Sequence, residues 1–233
     1  MNRRKILSGA QLKYIAFASM LIDHVNKALI YPNLNGGILL VISDIFDILG
    51  RIAFPIFMFL LIEGYFRTTN RWKYLGMLLL FGIISEIPYD MFASASYFEP
   101  HWNNIMFTLA LVLAIVWSID TLKEKMGIRW RILWYFISVV IVGAGCLASM
   151  ILGLDYEYHA VLIGYFLYIF HEKPVWAIPF CYLSIYKEPW ALLGFGLSLT
   201  YNGERGRQNK IVNYLFYPVH LFVLGMIRIY FGF

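Results

Sequence analysis

The sequence predicts an all-α protein, a polytopic membrane helix bundle with its N-terminus in the cytoplasm. Three observations lead there. Of 233 residues, 61% are hydrophobic and 14% charged, where a soluble domain carries about 25% charged. The apolar residues gather into runs suited to crossing a bilayer at about 20 residues each. Lysine and arginine fall in alternate loops, as the positive-inside rule requires. One domain covering 1–233 is expected, with no room for a separate soluble one.

The first apolar run, 12–31, is the element around which the rest is organised. It carries Lys13 near one end and Asp23 and His24 past its middle. Eleven residues separate Lys13 from His24, roughly 16 Å and almost three turns, so both side chains share one face. With Lys13 at the membrane surface, His24 lies deep in hydrocarbon, where an ionisable group is a functional candidate. The preceding Arg3-Arg4-Lys5 resembles the start of a signal peptide. Asp23, His24 and Lys27 interrupt the run and no small-residue cleavage site follows cleanly, so it reads as a retained helix.

Residues 37–50 are apolar but hold Asp44 and Asp47 on one helical face, a pattern expected of an amphipathic surface or re-entrant helix lining a cavity. The further runs are 51–66, 73–92, 104–120, 130–152, 158–170, 174–186, 190–200 and 211–231. With the first they make about nine transmembrane helices. Several are short, so tilted or broken helices are expected among them. The count leaves Arg67, Arg71 and Lys73, Lys123 to Arg131, Lys173, and Arg205 to Lys210 on the N-terminal side. The opposite loops are acidic apart from Lys187. All seven tryptophans fall near expected helix ends, as an aromatic belt does. Cys146 and Cys181 lie in apolar runs without metal-ligand spacing and read as packing residues. No metal centre, internal repeat or linker is indicated. The net charge of +5 is explained by the inner loops and needs no nucleic-acid partner.

Titratable groups within the apolar runs are Asp23, His24, Arg51, Glu63, Glu86, Asp90 and His220. His24 is the candidate for proton transfer, since imidazole outside water is neutral and can accept a proton; the plainer reading is a histidine tied to a neighbouring helix. Asp23 is about 100° round the helix from it, so an orienting carboxylate is expected from another helix, Glu63 or Glu86. Glu86 and Asp90 share one face of the third helix, with Pro88 between them to loosen it. They suit a cation or an acceptor amine, or else a buried ion pair with Arg51. His220 follows a proline that frees a backbone carbonyl, and structural and catalytic roles are both open. His101, His159 and His171 read as bystanders.

The inner loop Tyr201-Asn202-Gly203-Glu204-Arg205-Gly206-Arg207, with Lys210 beyond it, combines glycines and guanidinium groups that suit phosphate.

These stretches together resemble the TraX family of bacterial membrane proteins. The strings that carry the resemblance are Leu12-Lys13 through Ile22-Asp23-His24, Arg51 to Phe57 running on to Glu63-Gly64-Tyr65, Ile84-Ser85-Glu86-Ile87-Pro88-Tyr89-Asp90, Tyr201 to Gly206, and Phe216-Tyr217-Pro218 with His220-Leu221. The resemblance implies a multi-pass protein of the bacterial cytoplasmic membrane that moves an acetyl group from acetyl-CoA to an acceptor, in the type member the N-terminus of pilin in conjugal transfer. More distantly, the spacing of Lys13 and His24 is similar to the basic-x10-His motif of membrane acyltransferases that modify surface polysaccharides. It implies acyl-CoA binding for Lys13 and catalysis for His24. Lysine here replaces the arginine common in that motif and loses bidentate phosphate binding.

The resulting expectation is a transmembrane acetyltransferase. Acetyl-CoA would be held near Lys13, Tyr201, Asn202, Gly203, Arg205, Gly206, Arg207 and Lys210, with its pantetheine arm running inward beside the first helix. His24 would deprotonate the acceptor, with Arg51 or Tyr201 at the oxyanion. The acceptor, a peptide, protein or small amine, would enter from the outer side past Glu86, Asp90, Asp44 and Asp47. Membrane lipid is the other partner. Two rivals use the same residues: a proton-coupled transporter, which should carry inverted repeats, and a non-catalytic membrane assembly factor.

Overall fold

The computed structural model describes residues 6–232, apart from the side chain of Lys210. Among them regular structure is helical: α1 (Gly9–Val25), α2 (Ile38–Gly50), α3 (Ala53–Arg67), α4 (Arg71–Ser94), α5 (Ile105–Met126), α6 (Arg131–Ile151), α7 (Glu157–Ile169), α8 (Ala177–Ser184), α9 (Ala191–Ser198) and α10 (Lys210–Phe231). Every apolar run read from the sequence contains a helix. Five helical stretches are long and apolar enough to cross a membrane: Ile38–Arg67, Arg71–Ser94, Ile105–Met126, Ile128–Ile151 and Ile211–Phe231. α8 and α9 have eight residues each, a rise of about 12 Å against a hydrocarbon core of about 30 Å. Large apolar side chains stand exposed along α4, α6 and α10, among them Ile83, Phe136, Val139, Val219 and Val223. Such a surface suits lipid.

The chain divides into two compact units, one of Met1–Leu60, Ile83–Pro100 and Ile185–Phe233, the other of Leu61–Gly82 and His101–Ser184.

In the first unit α1 is flanked by an antiparallel and a parallel neighbour. α1 starts at a capping box, in which Ser8 Oγ accepts from the Gln11 amide and the Gln11 side chain accepts from the Ser8 amide. It ends by widening into a π-turn, Asn26–Ile30. α2 descends beside it: Asn26 Nδ2 donates to the Ser43 carbonyl at 3.0 Å, and Ser19 Oγ to the Leu49 carbonyl at 2.6 Å. α3 continues down the same helix, with Phe57 against Phe17. This corrects the expectation of a separate surface or re-entrant helix at 37–50. α2 and α3 form one apolar stretch broken only at Arg51–Ile52. Pro55 causes the break, because it has no N–H to donate to the carbonyl of Arg51 and tolerates only the first turn of a helix. α10 runs parallel to α1, with Phe216 stacked on Phe17 at 4.4 Å.

In the second unit α5, α6 and α7 pack on one another, with Cys181 of α8 buried near the Ile163 carbonyl. Trp134, expected in an interfacial belt, is buried and donates to the Ile119 carbonyl. The indole N–H needs an acceptor when it leaves water, and the kinship of its ring with packed apolar side chains does the rest.

Candidate active site

α1 carries a stripe that faces α10. Lys13 Nζ lies 3.5 Å from Gln208 Oε1 in the loop leading into α10. Four residues on, Phe17 meets Phe216. Seven further on, His24 Nδ1 lies 2.8 Å from His220 Nε2. Positions i, i+4, i+7 and i+11 share one helical face, so the common face read for Lys13 and His24 is the one turned to α10.

His24 is half-buried, and its ring packs at 4.6 Å on Phe92 of α4. His220 is buried, with its Nδ1 at 2.6 Å from the Phe216 carbonyl. The orienting group expected for His24 was a carboxylate, Glu63 or Glu86; its partner is an imidazole. Glu63 lies in the other unit, accepting from His171 at 3.0 Å and Arg67 at 3.1 Å. His171, read as a bystander, is therefore a hydrogen-bond partner of Glu63. Glu86 is half-buried on α4.

Asp23 turns away from the imidazole, as its position on the helix requires. One oxygen pairs with Lys27 at 2.6 Å, and the other is buried without a partner. It packs on Gly50, where any β-carbon would come 2.5 Å from that of Asp23. Beside that contact Arg51 pairs with Asp47 at 2.6 Å and with Glu188 of the 185–190 segment at 2.8 Å. The expected alternative ion partner Asp90 is occupied differently: Oδ2 accepts the Glu99 amide at 3.0 Å, and Oδ1 is buried with no partner. Asp44 is exposed on α2.

The 201–207 loop is built against the start of α1. The carbonyls of Glu204 and Arg205 accept the Gly9 and Ala10 amides, while the Asn202 amide donates to the Leu7 carbonyl. Asn202 Oδ1 takes the Glu204 amide. The glycines serve this fit. Gly203 and Gly206 have φ of +87° and +71°, and a β-carbon on Gly206 would stand 2.6 Å from Ser8 Oγ. The loop amides of 202 and 204 are thus committed within the protein and are not offered to a phosphate. The side chains of Arg205 and Arg207 are exposed to an anion, and Arg205 lies close enough to Lys13 for their charges to interact. The side chain of Lys210 lies outside the described residues.

Two further expectations change. Tyr201 is buried at the start of α1, paired with Leu7 and edge-on to Phe59. From Gly9 to His24 is about 22 Å along the helix, so Tyr201 cannot reach an oxyanion formed at His24. The seam between Lys13 and His24, expected to carry the pantetheine arm, is filled by Phe17 and Phe216. An arm reaching His24 has to pass beside that stack.

The second unit holds a cluster that the sequence reading did not single out. Asp120, at the end of an apolar run, accepts the hydroxyls of Tyr65 at 2.5 Å and Tyr168 at 2.7 Å and pairs with Arg71 at 3.4 Å. A carboxylate closing an apolar run was the available signal.

The protein of Dichelobacter nodosus named "Probable fimbrial assembly protein FimC, serogroup H1" is 36% identical to this chain over 126 residues, 48% of this chain and 47% of that protein. The match therefore spans about half the length of the relative. No solved structure matches the chain significantly. The sequence model of the family described as TraX protein matches residues 8–228, which takes in α1, the 201–207 loop and His220 together: the chain belongs to the TraX family.

Proposed function

We propose that the protein is a membrane-embedded acetyltransferase that takes acetyl groups from cytoplasmic acetyl-CoA and passes them to an acceptor amine such as a peptide N-terminus. The observation that carries this reading is the α10-facing stripe of α1, with a cation at one end and an imidazole bonded to a second imidazole at the other. Lys13, Arg205 and Arg207 bind the nucleotide phosphates at the inner surface. The thioester arrives beside the Phe17–Phe216 stack. The acceptor enters from the outer side as the neutral amine, its N–H received by Asp90, whose buried Oδ1 has room for one more hydrogen bond, with Glu86, Asp44 and Asp47 along the way.

His24 takes a proton from the amine as its nitrogen attacks the thioester carbon. A C–N bond forms, the C–S bond breaks, and the proton goes on to the departing thiolate. Arg51, next to the Gly50 contact with Asp23, is the cation for the developing oxyanion. The topology belonging to this mechanism has a cytoplasmic N-terminus in the bacterial inner membrane, with α1 and α7 adding to the five long stretches and the eight-residue α8 and α9 entering the membrane as a pair, neither spanning it alone.

The name of the Dichelobacter relative favours a second reading, a non-catalytic membrane factor in pilus assembly. One titration separates the two. Purified protein in detergent binds acetyl-CoA in the micromolar range, Lys13→Ala weakens that binding about tenfold, and His24→Ala keeps it while losing transfer. Absence of acetyl-CoA binding leaves the assembly reading.

A further inference from the structure

We infer that His220 is a positioning residue that holds His24 with its proton on Nδ1, leaving His24 Nε2 as the atom with an unshared pair. The assignment follows from a one-way chain of hydrogen bonds. A backbone carbonyl only accepts, so His220 Nδ1, 2.6 Å from the Phe216 oxygen, carries a hydrogen. With that ring neutral, its Nε2 is bare and accepts. The 2.8 Å contact is then an N–H···N bond donated by His24 Nδ1. With His24 neutral as well, its Nε2 has no hydrogen.

The ring geometry agrees with this. A ring nitrogen's lone pair lies in the ring plane and points away from the ring centre; with the nitrogens 2.8 Å apart and the ring centroids 5.0 Å apart, both nitrogens stand close to the line joining the centroids, the in-line arrangement such a bond requires. Phe216 stacks on His220 at 4.8 Å and Phe92 packs on His24, so both rings are held. The relay does the work that a carboxylate does behind many catalytic histidines, with a carbonyl and an imidazole in its place. That suits an apolar helix bundle, because no unpaired charge has to be kept out of water while the site waits. If His24 Nε2 takes a proton from an acceptor, as the proposed transfer requires, its Nδ1–H bond to His220 becomes charge-assisted and strengthens. This last step rests on the acetyltransferase reading; the tautomer assignment does not.

The experiment is solid-state NMR on the full chain labelled with 15N-histidine in phospholipid bilayers, at a pH where both rings are neutral. The expected spectrum has His24 and His220 each protonated on Nδ1, the form that neutral imidazole side chains do not favour in water. His220→Leu releases His24 to a mixture of tautomers, and His220→Gln, whose Oε1 can replace the accepting nitrogen, restores Nδ1–H. In the transfer assay His220→Leu lowers kcat about 10²-fold or more with KM for acetyl-CoA unchanged, and His220→Gln recovers part of the loss. A wild-type His24 protonated on Nε2 overturns the inference, and needs no variant to fold. Nδ1 protonation without any acetyl transfer supports the relay and overturns the acetyltransferase reading instead.

Discussion

His24 and Asp120 are both ionisable side chains in apolar helices, and their surroundings treat them differently. Asp120 is held by two phenolic hydroxyls and a guanidinium. That is the signature of a structural knot: removing the carboxylate strands two buried donors and a cation. Asp120→Ala should therefore lower stability by about 3 kcal/mol, read as a fall in Tm in detergent, while Asp120→Asn, which keeps one acceptor, loses less. An Asp120→Ala protein melting like wild type would show the hydroxyls to be satisfied elsewhere. His24 has one nitrogen engaged by His220, and its role is tested by the paired substitutions: His24→Ala costs transfer about 10²-fold or more, Lys13→Ala costs binding. Both residues were legible in the sequence because their alignment depends only on spacing along one helix. The partner of His24 was not. His220 stood among the candidates, but which of several distant groups meets a given ring is decided by helix packing, and Glu63, one of the two carboxylates expected there, serves His171 and Arg67.

At the scale of the element, the informative feature is the pairing of α1 with the broken α2–α3 stretch. Gly50 lets α2 approach until its backbone meets the Asp23 side chain, and Gly194 of α9 does the same at the break, where a β-carbon would come 2.5 Å from the Ile52 carbonyl. Gly50→Val should cost about 1–3 kcal/mol from forced separation of α1 and α2. The expected result is a lower Tm, with the added loss of transfer if Arg51 is displaced from its place beside Asp23. An unchanged Tm would mean that α2 can slide along α1 at no cost. The sequence reading separated 37–50 from 51–66 because the two acidic residues looked like a surface face. In the structure Asp47 answers Arg51 one turn later on the same stretch, and an i,i+4 pair of this kind lets charge travel on an otherwise apolar helix.

For the whole molecule, the distribution of lysine and arginine predicts sidedness. Single cysteines placed at Thr69, Gly127 and Arg207, in a background lacking Cys146 and Cys181, should label from the cytoplasmic side with a membrane-impermeant maleimide. Cysteines at Asn35 and Phe98 should label from outside. Labelling of residue 127 and residue 207 from opposite sides would break the topology. Membrane class, helical content, the approximate limits of the helices, family and the Lys13–His24 face were determined by the sequence alone, because each depends on composition or on intervals within one segment. The continuity of α2 with α3, the aromatic stack across the expected cofactor path, the loop carbonyls closing the start of α1 and the His24–His220 bond were decided only by the tertiary structure. The last three join residues far apart in the chain, and which distant side chains meet is set by how helices pack, which no local pattern of residues encodes.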